Sequence, residues 1–129
     1  MTKGEIVTYN KDITNVNAAF TSDGKFQVTI PGIYSFHFYS LSRSDGEIWL
    51  EFYKNEDYIV SIYAYTASDW ADAGNSVILE LQQGDTVYVK ATDDYDNALY
   101  GAAGEVYTTF SGELLFSEQT GNHFNFKLT

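Results

Sequence analysis

Tyr34, Phe36 and Phe38 fall on every second residue of the stretch 31–39. That is the period of a β-strand with one buried face. Burying an aromatic side chain stabilises by about 1.5–3 kcal/mol, so three in succession mark the centre of a core. Pro31-Gly32 marks the entry: proline donates no ladder hydrogen bond and suits a strand's first residue, and glycine permits the turn before it. This strand is predicted to run to about Ser42.

Similar alternation recurs along the chain. Lys25–Ile30 places Phe26, Val28 and Ile30 on one face. Ile48–Lys54 sets Ile48, Leu50 and Phe52 against Trp49, Glu51 and Tyr53, and Tyr58–Tyr65 alternates again. Asn75–Leu81 presents Val77, Leu79 and Leu81 together; Thr86–Ala91 and Val106–Phe116 complete the long strands. Gly112 lies inside the last, where glycine marks a bulge or a close backbone approach. Glu5–Asn10 and the short stretch 18–20 are further strands. Asp23-Gly24, Ser44-Asp45-Gly46, Asn55-Glu56-Asp57 and Gln83-Gly84-Asp85 carry turn chemistry. Residues 66–74 are predicted irregular and 92–105 a long polar loop. No window shows a 3.6-residue apolar repeat. About ten short strands between turns predict an all-β sandwich or jelly roll.

Composition narrows this reading. At 129 residues the chain is one domain, 1–129, able to bury a core without staples. With no cysteine it has neither disulfides nor thiolate chemistry. Eleven Tyr and nine Phe suit strands, but aromatics fall on both faces of several of them. A monomeric sandwich shows cleaner polar-out positions, so oligomerisation is expected. Eighteen carboxylates against seven Lys and Arg give −11. That balance opposes nucleic acid, whose binding needs phosphate-neutralising cations, and anionic membrane. No apolar run approaches the ~20 residues of a membrane helix, and Met1–Gly4 does not begin a signal peptide.

Candidate chemistry is sparse. His37 sits mid-strand, opposite in facing to Tyr34 and Phe36, and reads as a packing or subunit-interface residue. His123 opens the tail. Neither has a nucleophile motif beside it, so no catalytic residue is assigned. Asp93, Asp94 and Asp96 crowd one polar loop. Two readings stand: a solvated acidic loop, or oxygen ligands for calcium. Trp70 lies between Asp69 and Asp72. It either anchors a partner or stacks on a sugar, or packs on its own sandwich edge. Trp49 reads as packing on the strands' second face.

Gly32, Tyr34, Phe36 and Phe38 form a G-x-Y-x-F-x-F run that resembles the signature of the C1q domain, the globular head of the C1q/TNF-like superfamily. Phe26 precedes Gly32 at the family's spacing. A second block, Tyr107, Phe110-Ser111-Gly112 and Leu114-Leu115-Phe116, looks like the family's closing strand. The resemblance spans roughly 5–117. One departure lies upstream: the position of an expected aromatic falls on Ala19, with Phe20 one residue off. The resemblance implies a ten-stranded jelly roll assembled as a homotrimer, secreted, with its signal outside this sequence, and non-enzymatic. It implies binding of an extracellular protein or glycan. It also implies calcium near the trimer top, for which Asp69 and Asp72 are the candidates in the loop before Asn75. The alternative role is a structural trimerisation domain capping a collagen-like or coiled stalk.

The tail adds an expectation. Phe124, Phe126 and Leu128 alternate with Asn125 and Lys127, a strand pattern that looks like the family's first strand. Residues 122–129 are read as that strand relocated by circular permutation. The other readings are a strand belonging to the next copy of a tandem array, and a tail that adds one edge strand.

Overall fold

The computed structural model describes residues 2–9, 13, 20–42, 46–65, 67–93, 108–117, 124, 126 and 128. Seven strands lie among them: β1 (Phe26–Gln27), β2 (Gly32–Leu41), β3 (Glu47–Lys54), β4 (Asp57–Tyr65), β5 (Asp72–Leu81), β6 (Thr86–Ala91) and β7 (Thr108–Ser117). They form two antiparallel sheets, ordered β1-β6-β3-β4 and β5-β2-β7. The all-β sandwich expected from alternation is therefore the observed architecture.

The 31–39 stretch takes the central place. β2 pairs with β5 from Gly32↔Leu81 to Leu41↔Asp72, and with β7 from Gly32↔Ser117 to Ser40↔Thr108. Tyr34, Phe36 and Phe38 point between the sheets and are buried, Phe36 to 1% exposure. Opposite them stand Leu50, Phe52, Ile62, Val87 and Val89 from the other sheet. Phe36 lies 5.4 Å from Phe52 and about 6 Å from Phe26, Tyr34 and Phe110, ring centre to ring centre. Gly112 faces Phe36 across the β2–β7 ladder. A Cβ there would lie 2.6 Å from Cδ1 of Phe36. That is the close approach a mid-strand glycine announces.

Phe20 meets the upstream departure. It bridges to Phe26 and packs 5.9 Å from Tyr9 and 6.0 Å from Phe110. Between them, Asp23-Gly24 turns as expected; Gly24 has φ 86°, and a Cβ there would strike the Val7 carbonyl.

Three expectations are corrected. Ile30 does not share a face with Val28: Val28 is buried, whereas Ile30 is 49% exposed. The chain crosses from one sheet to the other between β1 and β2, and Pro31 cannot carry a ladder through the crossing. The Ile30 carbonyl instead accepts the Tyr34 hydroxyl at 2.6 Å. The region 66–74 is also not irregular throughout, because β5 starts at Asp72. β2 extends to Leu41, and its last backbone groups are met by Ala73 and Asp72. Finally, the described part of the Glu5–Asn10 stretch, residues 5–9, joins β6 by single contacts rather than a full ladder. Val7 N–H donates to Val89 O at 2.8 Å, and Ala91 N–H to Glu5 O at 2.9 Å.

Candidate functional site: loops and the two outer faces

The loop residues singled out by sequence do not converge. Asp69 accepts the Trp70 backbone N–H at 2.8 Å, and Trp70 is 49% exposed. Asp72 opens β5 and accepts the Tyr39 hydroxyl at 3.2 Å, which raises the phenol's pKa together with desolvation, the larger cause. Asp93 lies at the far end of β6, where its Oδ2 pairs with Lys90 Nζ at 3.3 Å. Burial works against the Lys90 ammonium. Asp93, Tyr53 and Glu51 outweigh it and hold the pKa above its ordinary value. Among the described residues no three His, Asp or Glu side chains gather as ligands for one ion. Calcium needs six to eight oxygens, so Asp69, Asp72 and Asp93 do not by themselves fit it. Asp94, Asp96, Tyr107 and His123 lie outside the described residues.

The signature residues have structural roles. Gly32, Tyr34, Phe36, Phe38, Phe110 and Gly112 build the core side of the β5-β2-β7 sheet. Phe116 does not: a bulge at Leu115 turns Leu115 and Phe116 toward solvent beside Ile33. His37 is exposed on that outer face, with Nε2 3.2 Å from Ser35 Oγ.

That outer face is apolar in patches. Tyr39, Ile78, Leu115 and Phe116 project from it, with Ile33 half-buried opposite Phe116. Where β4 and β5 meet at the sandwich's side, a groove is lined by Ile33, Tyr58, Ile59, Ile78, Phe124 and Phe126. Phe124, Phe126 and Leu128 are exposed and belong to no strand. Among the described residues, the outer edge of β7 has no strand beside it.

The outer face of the four-stranded sheet differs. Antiparallel register aligns Tyr88 with Tyr53 and Tyr53 with Tyr58, and Lys25 stands over Tyr88. The Tyr88 and Tyr53 rings stack at 5.6 Å with planes 4° apart. One row further along the strands, Lys90 faces Glu51, and its ammonium sits 4.9 Å above the Tyr53 ring. Beyond Glu51, Trp49 meets Tyr63 edge-on at 6.0 Å, and Tyr65 pairs with Glu47. Tyr63 donates its hydroxyl to Glu47, which raises the phenol's pKa. Sequence alternation had placed Trp49 on this second face. It carried no sign of the rows, which depend on β6, β3 and β4 being neighbours.

Comparison with known proteins accounts for both the fold and the signature. The chain is 30% identical over 111 residues to mouse Complement C1q tumor necrosis factor-related protein 1, covering 84% of this chain and 40% of that protein. It is 34% identical over 108 residues to zebrafish Caprin-2, covering 81% of this chain and 11% of that protein. It thus spans less than half the length of these relatives. The globular domain of zebrafish complement 1qA superposes with a TM-score of 0.73 at 22% identity, covering 92% of this chain and 93% of that one. The C1q and TNF-like homologues are non-enzymatic ligand-binding proteins, in line with the expectation that the chain is not an enzyme. The C1q domain model matches residues 1–115, and with the two-sheet sandwich and the G-x-Y-x-F-x-F run on its central strand, the chain belongs to the C1q domain family.

Proposed function

We propose that this chain is a recognition head that works as a homotrimer outside the cell and binds a protein or glycan ligand. One observation carries the reading: large apolar side chains are left in solvent on the outer face of β5-β2-β7 and in the adjoining β4/β5 groove. Contiguous apolar surface of this kind marks an interface. The core already has its own aromatics, so these have a different partner. Obligate interfaces bury roughly 2,000–5,000 Å², and the Ile33–Ile78–Phe116 face runs into the Tyr58 groove, which shares Ile33 and Ile78 with it, as one continuous surface for neighbouring copies. Calcium is not needed for this reading: Asp69, Asp72 and Asp93 do not gather among the described residues, and Asp94 and Asp96 lie outside them.

The tail has a place in the same reading. Phe124 and Phe126 line the β4/β5 groove, so the tail adds its own rings to the apolar surface a neighbouring copy would cover.

Sedimentation velocity over a range of concentrations tests the assembly. A trimer at micromolar concentration is expected; a well-folded single chain there overturns the reading. Protein and glycan arrays probed with the trimer test recognition. A trimer silent on both would move the assignment to a structural trimerisation domain.

A further inference from the structure

We infer that the Trp49–Tyr63–Tyr65 patch, bounded by Glu47 and Glu51, binds a cationic side chain from an arginine- or lysine-rich segment of a protein partner. The inference rests on the recognition reading above and gives it a surface and a ligand chemistry. It begins with what the chain does to its own lysines. On the same sheet face, Lys25 and Lys90 lie 5.4 and 4.9 Å from the centres of the Tyr88 and Tyr53 rings. These are cation–π distances. The next rows repeat the arrangement of rings and carboxylates. Tyr63 and Tyr65 are 54% and 61% exposed there, and Trp49 sets its edge against Tyr63.

The charges flank the rings. Glu51 lies two residues from Trp49 on the same strand face, and Glu47 two residues on the other side, opposite Tyr65. Tyr63 donates to Glu47, so that carboxylate is oriented by a neighbour within the patch. A guanidinium or ammonium over these rings meets aromatic faces below and carboxylates at either end, and both attract it. At −11 per chain, the long-range field also draws cationic partners and repels anionic ones. β3 and β4 are laddered from Glu47↔Tyr65 to Lys54↔Asp57, so the patch is formed in advance and little ordering accompanies binding.

The test uses the intact chain with hexa-arginine as probe and hexa-citrulline, its neutral isostere, as reference, read by Trp fluorescence and calorimetry. Binding of hexa-arginine alone is expected, weakening at least five-fold between 50 and 300 mM salt. Glu47→Gln and Tyr63→Ala should each weaken it five-fold or more. Glu56→Gln, with the same charge change at the exposed β3–β4 hairpin, the end of the sheet away from Glu47, should leave it unchanged. Melting curves establish that each variant is folded, and the isosteric Glu47→Gln keeps the test decisive if Tyr63→Ala is not. Equal weakening by Glu47→Gln and Glu56→Gln would show attraction to an acidic surface at large and overturn the site, leaving the recognition reading intact. Binding of a neutral oligosaccharide lost in Tyr63→Ala, with no response to hexa-arginine, would overturn the ligand class.

Discussion

Gly112→Ala adds one methyl group at the tightest point of the core. Its Cβ would lie 2.6 and 2.8 Å from Cδ1 and Cε1 of Phe36, and 3.4 Å from the Ser35 carbonyl oxygen. A flexible side chain would swing away from such an overlap. Phe36 cannot, because Phe26, Tyr34, Phe52 and Phe110 ring it at 5.4–6.1 Å. Overpacking of this kind costs about 1–3 kcal/mol, and a boxed ring puts this site near the upper end, about 3. Alanine also restricts the unfolded chain, which returns roughly 0.4–1 kcal/mol. The net loss is about 2 kcal/mol. For a chain of this size that lowers Tm by about 8 °C, measured at fixed protein concentration because assembly contributes to Tm. The cycle with Phe36→Leu isolates the cause. Phe36→Leu alone destabilises by opening a void. In its background the alanine methyl enters that space, and the penalty of Gly112→Ala should fall below about 0.5 kcal/mol, a coupling well outside additivity. An unchanged Tm in the single variant, or an equal penalty in both backgrounds, would refute the ascription to the Phe36 contact.

The remaining predictions concern the hairpin, acid, the interface and the tail. Asn55 holds φ 55°, accepts from Thr86 N–H at 3.0 Å and donates to Asp85 at 3.1 Å. Asn55→Gly keeps the backbone and should cost about 1 kcal/mol, and Asn55→Ala adds backbone strain for about 2–3 in all; equal losses in chemical denaturation would contradict this division. The Gln82 N–H, at 2.8 Å, and then the Asn55 amide hold the Asp85 carboxyl below its usual pKa. Its contribution to stability is therefore present above about pH 4 and lost as pH falls through the lowered folded value. The Tm gap between the protein and Asp85→Asn should accordingly shrink on acidification, and a gap that widens would reverse the sign. Ile78→Glu on the outer face of β5 should shift sedimentation toward the single chain while leaving a cooperative melt; an intact trimer would move the interface elsewhere. Deleting residues 122–129 takes Phe124 and Phe126 out of the groove and should weaken assembly, and a trimer of unchanged stability would remove the tail from the interface.

What could be read from the sequence was whatever depends on one strand at a time. The buried face of β2 is a matter of residue parity, and parity is fixed by the pleat. So is the shared outward facing of Trp49, Glu51 and Tyr53. The crossing at 28–31 was not legible, because alternation assumes that a strand stays in one sheet, and this chain leaves one sheet there and enters the other. The start of β5 was missed for a related reason. Asp72, Ala73 and Gly74 have poor strand propensity and are held in the ladder by Leu41, Ser40 and Tyr39 of β2.

The aromatic rows show the same limit at the candidate site. Tyr88 and Tyr53 are 35 residues apart in sequence, and only the order β6-β3-β4 makes them stack. Attention to loop residues favoured Trp70, whose neighbouring carboxylates are adjacent in sequence but not gathered in space. The carboxylates of the Trp49 patch are gathered because β-structure repeats every two residues: Glu47, Trp49 and Glu51 share a face by parity, and pairing brings Tyr63 and Tyr65 beside them. A sheet face with carboxylates set at that spacing among rings is a regular array for cationic groups. Lys90, seated on Tyr53 between Glu51 and Asp93, is the member of that array the chain fills for itself.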